Sequence, residues 1–589
     1  MTIETSISPA DRTSSAERAS NTGRPAPRWW ASAVVYQIYP RSFADSNGDG
    51  IGDLRGILAK VDYIASLGVD VVWLNPIYRS PQDDNGYDIS DYRDVDPMFG
   101  TLDDFDELLA AFHERGIRVI MDLVVNHTSD EHPWFQESRS SLDNPKRDWY
   151  IWRPAADEVR ADTGGREPNN WGSYFSGSAW ELDETTGEYY LHLFSRKQPD
   201  LNWENPEVRE AVYDLMRWWL DRGVDGFRMD VINFISKDQR FPDGVVVDAP
   251  WGDGSEFYAA GPRNHEFLQE MHAEVFGDDA DRLITVGEML GATVEQARLF
   301  TDPARRELDM IFHFEHVMLD QGAHKWDVVP FGVLDLKRNV QRWQEGLAEG
   351  GWNSLYWNNH DQPRAVSRFG SDDEALRERS AKALAVVLHL QRGTPYVYQG
   401  EELGMGNAGF LSINEFRDIE SVNRYRAAVD AGEDPEATLA ALNYMSRDNA
   451  RTPMQWTAGE HAGFTEGEPW MRANTDRATV NVEAEQTDPD SVLNFYRRVI
   501  RLRHEEPVVA EGDLTMELPD HEQLFAYRRR LDKVELVVVA NMSTDPVEVP
   551  DPGLLRGEIV LSNVDVRAPH GTFQPWECRV LRRASDASD

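Results

Sequence analysis

The sequence predicts an α/β fold in which a (β/α)₈ barrel carries a small inserted domain and is followed by a C-terminal antiparallel β-sandwich. Short apolar runs of strand length alternate with helix-like segments along most of the chain, which is typical of a parallel sheet with helices on its outside. Several of these runs end in charged or polar residues, as barrel strands do where the chemistry is placed. The length of 589 residues suits a barrel of ordinary size with an insertion and a second domain.

The amino-acid composition limits the classes of molecule that the protein is expected to bind. The formal net charge of -43 argues against binding to nucleic acid or to anionic membranes, because both require basic patches. Solubility is the simplest consequence of this acidity, and adaptation to a salt-rich cytoplasm is an alternative that charge alone does not decide. The single cysteine, Cys578, excludes an intramolecular disulfide and fits a reducing compartment.

The first 28 residues are rich in Ser, Thr, Ala and charge, and they lack the apolar centre that a secretory signal requires. We predict a disordered tail there. The apolar runs at 34–38 and 534–540 have the length of strands and not of membrane spans. We therefore expect a soluble, cytoplasmic protein that binds neither membranes nor nucleic acid and is a monomer or a homodimer.

The first barrel strand is predicted within Trp30 to Pro40, and an unusual loop follows it. Oxygen-bearing side chains alternate with glycines in this loop, so that carboxylate and amide oxygens can converge on a hard cation. A Gly/Asp-rich turn without metal is the alternative. The candidate ligands are Asp45, Asn47, Asp49, Asp53 and the carbonyl oxygen of Ile51.

Four predicted strands end in residues that can do chemistry. In the strand at 224–229, Arg228 and Asp230 lie two residues apart and therefore share one strand face. An arginine beside a carboxylate keeps it ionised, as a nucleophilic aspartate requires. An ordinary ion pair is the alternative for this motif alone. The other strand ends supply further polar residues, which are Asp122, Asn126, His127, Glu288, His360 and Asp361.

At these strand ends the sequence resembles glycoside hydrolase family 13, the α-amylase family. The four signature regions of the family resemble DLVVNH, GFRMDVIN, TVGEM and NNHD, and the resemblance extends from about residue 30 to the C-terminal strands. It implies that Asp230 is the nucleophile and Glu288 the acid/base of a retaining glycosidase. It also implies that Asp361 binds sugar hydroxyls and stabilises the transition state, and that His127 and His360 donate hydrogen bonds to the same ring.

Shorter patterns resemble the oligo-1,6-glucosidase subgroup of the family. The loop at 45–53 resembles its cation loop, which implies a structural Ca²⁺ or Mg²⁺ far from catalysis. Gly86-Tyr87-Asp88 resembles the family's GYD pattern, in which Tyr87 offers an aromatic face to the sugar and Asp88 grips the terminal ring, and this implies exo-action. The segments QPDLN at 198–202 and SRDNARTPMQW at 446–456 resemble two further subgroup patterns. Arg447 in the second is expected at the active-site mouth, and a surface arginine is the alternative.

The remaining segments complete the predicted domains. Residues 128–197 interrupt the alternation of strand and helix, so we predict an inserted domain over the barrel mouth, with the barrel itself formed by 29–127 and 198–507. After residue 508, short apolar runs separated by Pro, Gly and Asp indicate the sandwich at 508–589. A separate sugar-binding module has little support, because this stretch has no cluster of aromatic residues.

The resemblance implies an exo-acting α-glucosidase that cleaves a small α-glucoside without a redox or organic cofactor. Val231 follows the nucleophile, and in similar enzymes Val at this position accompanies α-1,6 activity, so isomaltose-type substrates are favoured. Sucrose-acting and transglycosylating relatives use the same motifs and remain the alternative. An inactive sugar-binding barrel, of the kind that accompanies membrane transporters, is disfavoured because Asp230, Glu288 and Asp361 are present and no membrane span is predicted.

Overall fold

A computed structural model describes residues 28–248, 251–566 and 571–585 of the chain. Its centre is an eight-stranded parallel sheet that forms the predicted (β/α)₈ barrel. The barrel strands are β1 (Val35–Ile38), β2 (Val71–Leu74), β3 (Arg118–Val124), β4 (Gly226–Asp230), β5 (Ile284–Glu288), β6 (Met310–Phe312), β7 (Ser354–Leu355) and β8 (Thr394–Tyr398). The fold class read from the sequence is confirmed.

The strand order shows how the barrel closes. Ladders of parallel hydrogen bonds connect the strands in the order β6, β5, β4, β3, β2, β1, β8 and β7. A single parallel bridge between Ile311 and Asn353 joins the two ends of this order, β6 and β7. Since the carboxyl ends of all eight strands meet at one face, the polar residues that follow them are brought together there.

Apolar packing on both sides of the strands explains why their sequences are almost continuously hydrophobic. Inside the barrel, the rings of Trp73, Phe312 and Tyr396 contact one another at centroid distances of 4.6 to 6.2 Å. At one position two neighbouring strands approach so closely that only glycine fits. Gly226 begins β4 with φ +149°, and a Cβ there would lie 1.9 Å from the carbonyl oxygen of Ile284 in the next strand.

Helices cover the outside of the barrel, and several begin at the caps that their sequences predict. Thr101 and Asp104 form a capping box, and Asn205 caps a helix whose first residue is Pro206. Two short helices, Leu54–Leu58 and Val61–Leu67, lie between β1 and β2. The covering helices are Leu54–Leu58, Val61–Leu67, Leu102–Glu114, Pro206–Arg222, Asn264–Met271, Val294–Thr301, Val333–Gly346, Arg377–His389 and Val492–Glu505.

The segment between β3 and the helix Pro206–Arg222 has its own small structure. The helix Pro133–Ser140 is followed by an antiparallel sheet of Trp152–Pro154, Glu188–Leu191 and Trp180–Asp183. Aromatic rings pack between them, with Phe135 stacked on Trp152 at 5.6 Å. The strand Val245–Asp248, the strand Trp251–Asp253 and the helix Ser255–Tyr258 lie in the loop after β4.

A second long insertion lies between β8 and the last covering helix. It contains the helices Ile419–Asp430, Pro435–Met445 and Val482–Glu485, and the 3₁₀ turn Arg447–Asn449. A further short helix, Ala365–Arg368, follows β7. These loops extend the face on which the barrel strands end.

The C-terminal region is antiparallel. After the helix Pro507–Glu511, five strands pair in the order Asp513–Glu517, Leu524–Leu531, Val534–Asn541, Cys578–Ala584 and Glu558–Ser562. A small pair, Val547–Glu548 with Thr572–Phe573, lies beside them. The Lys337 ammonium donates to three carbonyl oxygens of the segment 518–524, which attaches this sheet to the barrel.

Two predictions concern membranes and the tail. No helix of the described part of the chain is both long and apolar enough to cross a membrane. The predicted disordered tail falls on residues 1–28, of which 1–27 lie outside the described residues.

Candidate active site

A buried arginine organises the face on which the strands end. Arg228 on β4 lies with Nη1 2.6 Å from Asp122 Oδ1 and 2.7 Å from Asp230 Oδ1, and its Nη2 is 2.8 Å from Glu288 Oε2. The predicted Arg228–Asp230 pairing is therefore present, and Asp122 and Glu288 join it from β3 and β5. One guanidinium cannot neutralise three carboxylates, so the group favours holding a proton.

The proton is expected on Glu288. Burial raises the pKa of Glu288 to about 8, with Arg228 opposing the shift and the charges of Asp230 and Asp361 adding to it. Burial also raises the pKa of Asp230, to about 6, while Arg228 restrains the rise. Near neutral pH the arrangement places a carboxylic acid beside an ionised carboxylate, which is the pairing that acid and nucleophile roles need.

Asp361 follows β7 and is held from three sides. Its Oδ2 lies 3.0 Å from His360 Nε2, and its Oδ1 accepts hydrogen bonds from Arg451 at 2.6 Å and from Arg447 at 3.2 Å. Burial opposes ionisation, but His360 and Arg447 hold the pKa of Asp361 well below its usual range. Asp361 is thus ionised near neutral pH.

The two histidines predicted as hydroxyl donors, His127 and His360, are buried and hydrogen-bonded, and Nε2 of His127 lies 3.2 Å from the carbonyl oxygen of Tyr87. Gln37 donates to His360 Nδ1 at 2.9 Å, which leaves the proton of a neutral His360 on Nε2. Asn126 likewise lies 3.3 Å from His127 Nδ1. Burial lowers the pKa of both imidazoles to about 4, so both are neutral at pH 7. Tyr87 stacks on His360 with centroids 5.2 Å apart and an interplanar angle of 8°.

The prediction for Asp88 is corrected by the structure. Its side chain is completely buried and accepts hydrogen bonds from the Ser80 hydroxyl and from the amides of Asp83 and Asp84. It therefore organises its own loop and does not face the site. Asp84 takes that place, because its carboxylate lies 3.2 Å from Arg447 Nη2.

Arg447 lies beside Asp361 and is a buried, ion-paired residue, not a free surface arginine. Besides Asp84 and Asp361, its guanidinium contacts Asp418 at 2.5 Å. This ion-pair group joins the loop after β2, the end of β7 and the insertion after β8. It also lies over the ring of Phe175 from the inserted segment, 5.1 Å from the ring centroid.

Val231 has an unusual backbone. It follows β4 with φ 35° and ψ 41°, a left-handed conformation that is costly for a β-branched residue. Its amide donates to Glu288 Oε2 at 3.2 Å. The strained turn thus connects the end of β4 directly to the predicted acid, and Val231 belongs to an apolar cluster that includes Phe234 and Leu290.

Three residues at the site were not identified from the sequence. Gln198 and Arg451 lie inside segments that the family patterns cover, and Asp84 lies two residues before the GYD pattern. Gln198 Nε2 donates to Asp84 Oδ2 at 3.1 Å, so the QPDLN segment supports the same ion-pair group. The signal for all three was their place inside or next to those patterns, but spacing alone does not tell which side chain of a loop points inward.

The loop at 45–53 does not show a preformed metal cluster. Among the described residues, no group of three or more His, Cys, Asp and Glu side chains is arranged to hold a metal ion. Asp53 caps the helix Leu54–Leu58 by accepting from Gly56 N, and the Asp45 oxygens accept from Asn47, Gly48 and Gly50 amides. Asn47 and Asp49 are exposed and accept the amides two residues ahead.

Comparisons with known proteins agree with this geometry. The description "Alpha amylase, catalytic domain" matches residues 37–512. An oligo-1,6-glucosidase of Parageobacillus thermoglucosidasius is 55% identical over 564 residues, 94% of this chain and 99% of that protein. The crystal structure of Bacillus licheniformis trehalose-6-phosphate hydrolase has a TM-score of 0.88 at 47% identity and covers 95% of this chain and 100% of its own. The trehalulose synthase of Pseudomonas mesoacidophila has a TM-score of 0.89 at 43% identity, with the same two coverages. The chain belongs to the α-amylase family and is a glycoside hydrolase.

Proposed function

We propose that the protein is a retaining, exo-acting α-glucosidase that removes the terminal non-reducing glucose of short α-glucosides, with α-1,6 linkages favoured. The observation that carries the proposal is the shared guanidinium of Arg228, which touches both Asp230 and Glu288. It holds the two carboxyl groups beside each other on adjacent strands, one ionised and one protonated near neutral pH.

The chemistry follows from these two states. The Asp230 carboxylate attacks the anomeric carbon while Glu288 gives its proton to the departing glycosidic oxygen. Glu288 is then ionised and takes a proton from water, whose oxygen displaces Asp230 and restores the starting states. Asp361 is anionic throughout and stabilises the positive charge that develops on the sugar in both steps.

Exo-action is supported by the closed end of the site. The ion pairs of Arg447 with Asp84 and Asp418 link the loop after β2 to the insertion after β8, beside Asp361. A sugar chain that continued past the terminal glucose would have to separate these charges. Carboxylate and guanidinium groups at this position suit the hydroxyls of a chain end.

The preference for α-1,6 linkages is supported by Val231 and by relatives named oligo-1,6-glucosidase at 50 to 55% identity. Relatives named trehalose-6-phosphate hydrolase and trehalulose synthase share the fold at 43 to 48% identity. Transfer to a sugar acceptor is the alternative fate of the glycosyl-enzyme, since water and a hydroxyl compete for the same carbon.

The test is a product analysis by NMR on isomaltose, maltose, sucrose and trehalose. We expect the largest kcat/KM on isomaltose and α-glucose as the first-formed anomer, because two displacements retain configuration. First-formed β-glucose would exclude the retaining mechanism. Equal or faster turnover of sucrose or trehalose, or transfer products in place of glucose, would assign the enzyme to the alternative.

We also propose that the loop at 45–53 binds one structural Ca²⁺ or Mg²⁺. Its oxygen-only side chains suit a hard cation, and Asp45, Asn47, Asp49 and Asp53, with the Ile51 carbonyl, are the groups that would hold it. A cation bound only by the folded state raises the melting temperature. Chelation should therefore lower the melting temperature and leave kcat at low temperature unchanged, and an unchanged melting temperature would contradict the proposal.

Cytoplasmic location and a monomeric or homodimeric state stay predictions. The single buried cysteine is compatible with a reducing compartment. Activity in the cell-free supernatant of intact cells would contradict the location, and light scattering would measure the oligomeric state.

A further inference from the structure

We propose that Arg451 is a positioning residue for the reaction, acting through Asp361. The inference rests on the proposed function, in which Asp361 binds the sugar. It comes from the segment 446–456, where Arg447 faces the site and Arg451 lies four residues further along the chain.

The two arginines contact the same oxygen but differ in exposure and partners. Arg451 Nη2 donates to Asp361 Oδ1 at 2.6 Å, whereas the Arg447 contact is 3.2 Å. The Arg451 side chain is 1% exposed and that of Arg447 is 9% exposed. Arg451 therefore lies behind the carboxylate, and Arg447 lies at its accessible side.

A second hydrogen bond fixes the position of the Arg451 guanidinium. Its Nε donates to the carbonyl oxygen of His360 at 3.0 Å. One rigid guanidinium thus binds the backbone of His360 and the side chain of the next residue, Asp361. Because a guanidinium is planar, these two bonds set the direction of the carboxylate relative to the end of β7.

The remaining oxygen of Asp361 shows what the orientation achieves. Oδ2 lies 3.0 Å from His360 Nε2. With Oδ1 fixed by Arg451, Oδ2 stays beside the imidazole that is expected to bind the sugar's hydroxyls. Without Arg451, the carboxylate is free to rotate toward Arg447, and both sugar-binding groups lose their alignment.

The chain contains a matched control in Arg364. It is completely buried and donates only to backbone carbonyls, those of Gln399, Asn449 and Ala450. It supports the same loop next to Arg451 but touches no carboxylate of the site. Loss of Arg364 should therefore reproduce a loop defect without the effect on Asp361.

The experiment is a double-mutant cycle with 1-deoxynojirimycin, a cationic glucose analogue, whose Kd is measured by calorimetry so that inactive variants can be included. Arg451→Met should weaken binding about 10-fold or more when Asp361 is present. In the Asp361→Asn background the same change should weaken binding by less than about 2-fold, because its target is already lost. Arg451→Lys keeps the charge and should lose less than Arg451→Met.

Each outcome has a defined meaning. Equal losses in both backgrounds, or no loss in the Asp361 background, would overturn the inference. If Arg451→Met does not fold, the cycle with Arg451→Lys decides by the same criterion. Arg364→Met should give equal fold changes in both backgrounds. Failure of the unmodified enzyme to bind the analogue would count against the proposed function and not against the role of Arg451.

Discussion

One group of buried carboxylates lies at the ends of β4 and β5 and another lies after β8, and of these two groups only the first has the features of a catalytic site. Asp230 and Glu288 end β4 and β5, and both contact the guanidinium of Arg228. Glu401 and Glu402 follow β8, where tyrosine hydroxyls take the place of a guanidinium. Tyr36 and Tyr63 each donate to Glu402 at 2.7 Å, and Tyr496 donates to Glu401 at 2.9 Å.

Burial raises the pKa of the acids in both groups, so a raised pKa does not by itself identify the site. The difference is the cation. A guanidinium allows one carboxylate to stay ionised beside a protonated partner, whereas at Glu401 and Glu402 burial outweighs the tyrosine hydrogen bonds, which by themselves lower the pKa. The group after β8 also lies between the barrel and its covering helices, where Tyr63 and Tyr496 belong to those helices.

The largest expected effect tests the first group. Asp230→Asn keeps the shape of the side chain but removes the attacking oxygen's charge, so kcat should fall roughly 10⁴-fold or more. The fold should persist, because the amide still fits beside Arg228. Steady-state rates on p-nitrophenyl α-glucoside and the melting temperature measure both. Retention of more than about 1% of the activity in a clean preparation would move the nucleophile elsewhere.

The pH profile tests whether the two carboxyl groups share one proton. Asp230 must be ionised and Glu288 protonated, so kcat/KM should fall below pH about 6 and above pH about 8. The limbs belong to the coupled pair and not to either residue alone. Each limb should approach a 10-fold loss per pH unit. Absence of an alkaline limb below pH 9.5 would mean that Glu288 is not the proton donor.

The barrel was predictable because its strands are buried on both faces and their sequences are apolar throughout. β3 and β4 were predicted with their functional ends, and the C-terminal strand at 534–541 matches the predicted run at 534–540 closely. β7 was harder, since only Ser354 and Leu355 form it and Asp361 follows six residues later. Its position depends on neighbouring strands and not on its own sequence.

The site was predictable where strands define it and less so where loops do. Arg228, Asp230 and Glu288 occupy strand positions whose direction the backbone dictates. Asp84 and Asp88 occupy one loop, and Asp84 rather than Asp88 contacts Arg447 because Asp88 accepts hydrogen bonds from that loop's own amides. Such bonds form only in the folded loop, so residue type and spacing did not distinguish the two.

A smaller effect is expected at Val231, next to the first group. Val231→Thr should raise kcat/KM on maltose relative to isomaltose by roughly 2- to 13-fold, because a hydroxyl could bind a ring hydroxyl of an α-1,4-linked sugar. Thr is also β-branched, so the left-handed backbone and the amide bond to Glu288 should be unchanged. An unchanged ratio, or a shift toward isomaltose, would mean that Val231 does not determine linkage preference.

The smallest effect on activity is expected in the second group. Glu402→Gln should change kcat/KM by less than about 2-fold, since no charge at the site depends on it, but it should destabilise the fold by about 1 to 3 kcal/mol. A glutamine side chain has only one oxygen that can accept hydrogen bonds. Glu402 accepts with both of its oxygens, one from the two tyrosines and the other from Gly400 N.

Stability measured at two pH values tests whether Glu402 is protonated in the folded state or whether Glu402→Gln causes only a packing defect. The folded-state pKa of Glu402 is raised by burial, so its contribution to stability is fully present below the unfolded pKa and is lost as pH rises through the folded pKa. Gln does not titrate, so the melting temperature of the variant should lie further below that of the unmodified enzyme at pH 5 than at pH 8. An equal difference in melting temperature at pH 5 and at pH 8 would show that Glu402 is ionised in the folded state. A large loss of kcat/KM in Glu402→Gln would remove the distinction between the two carboxylate groups.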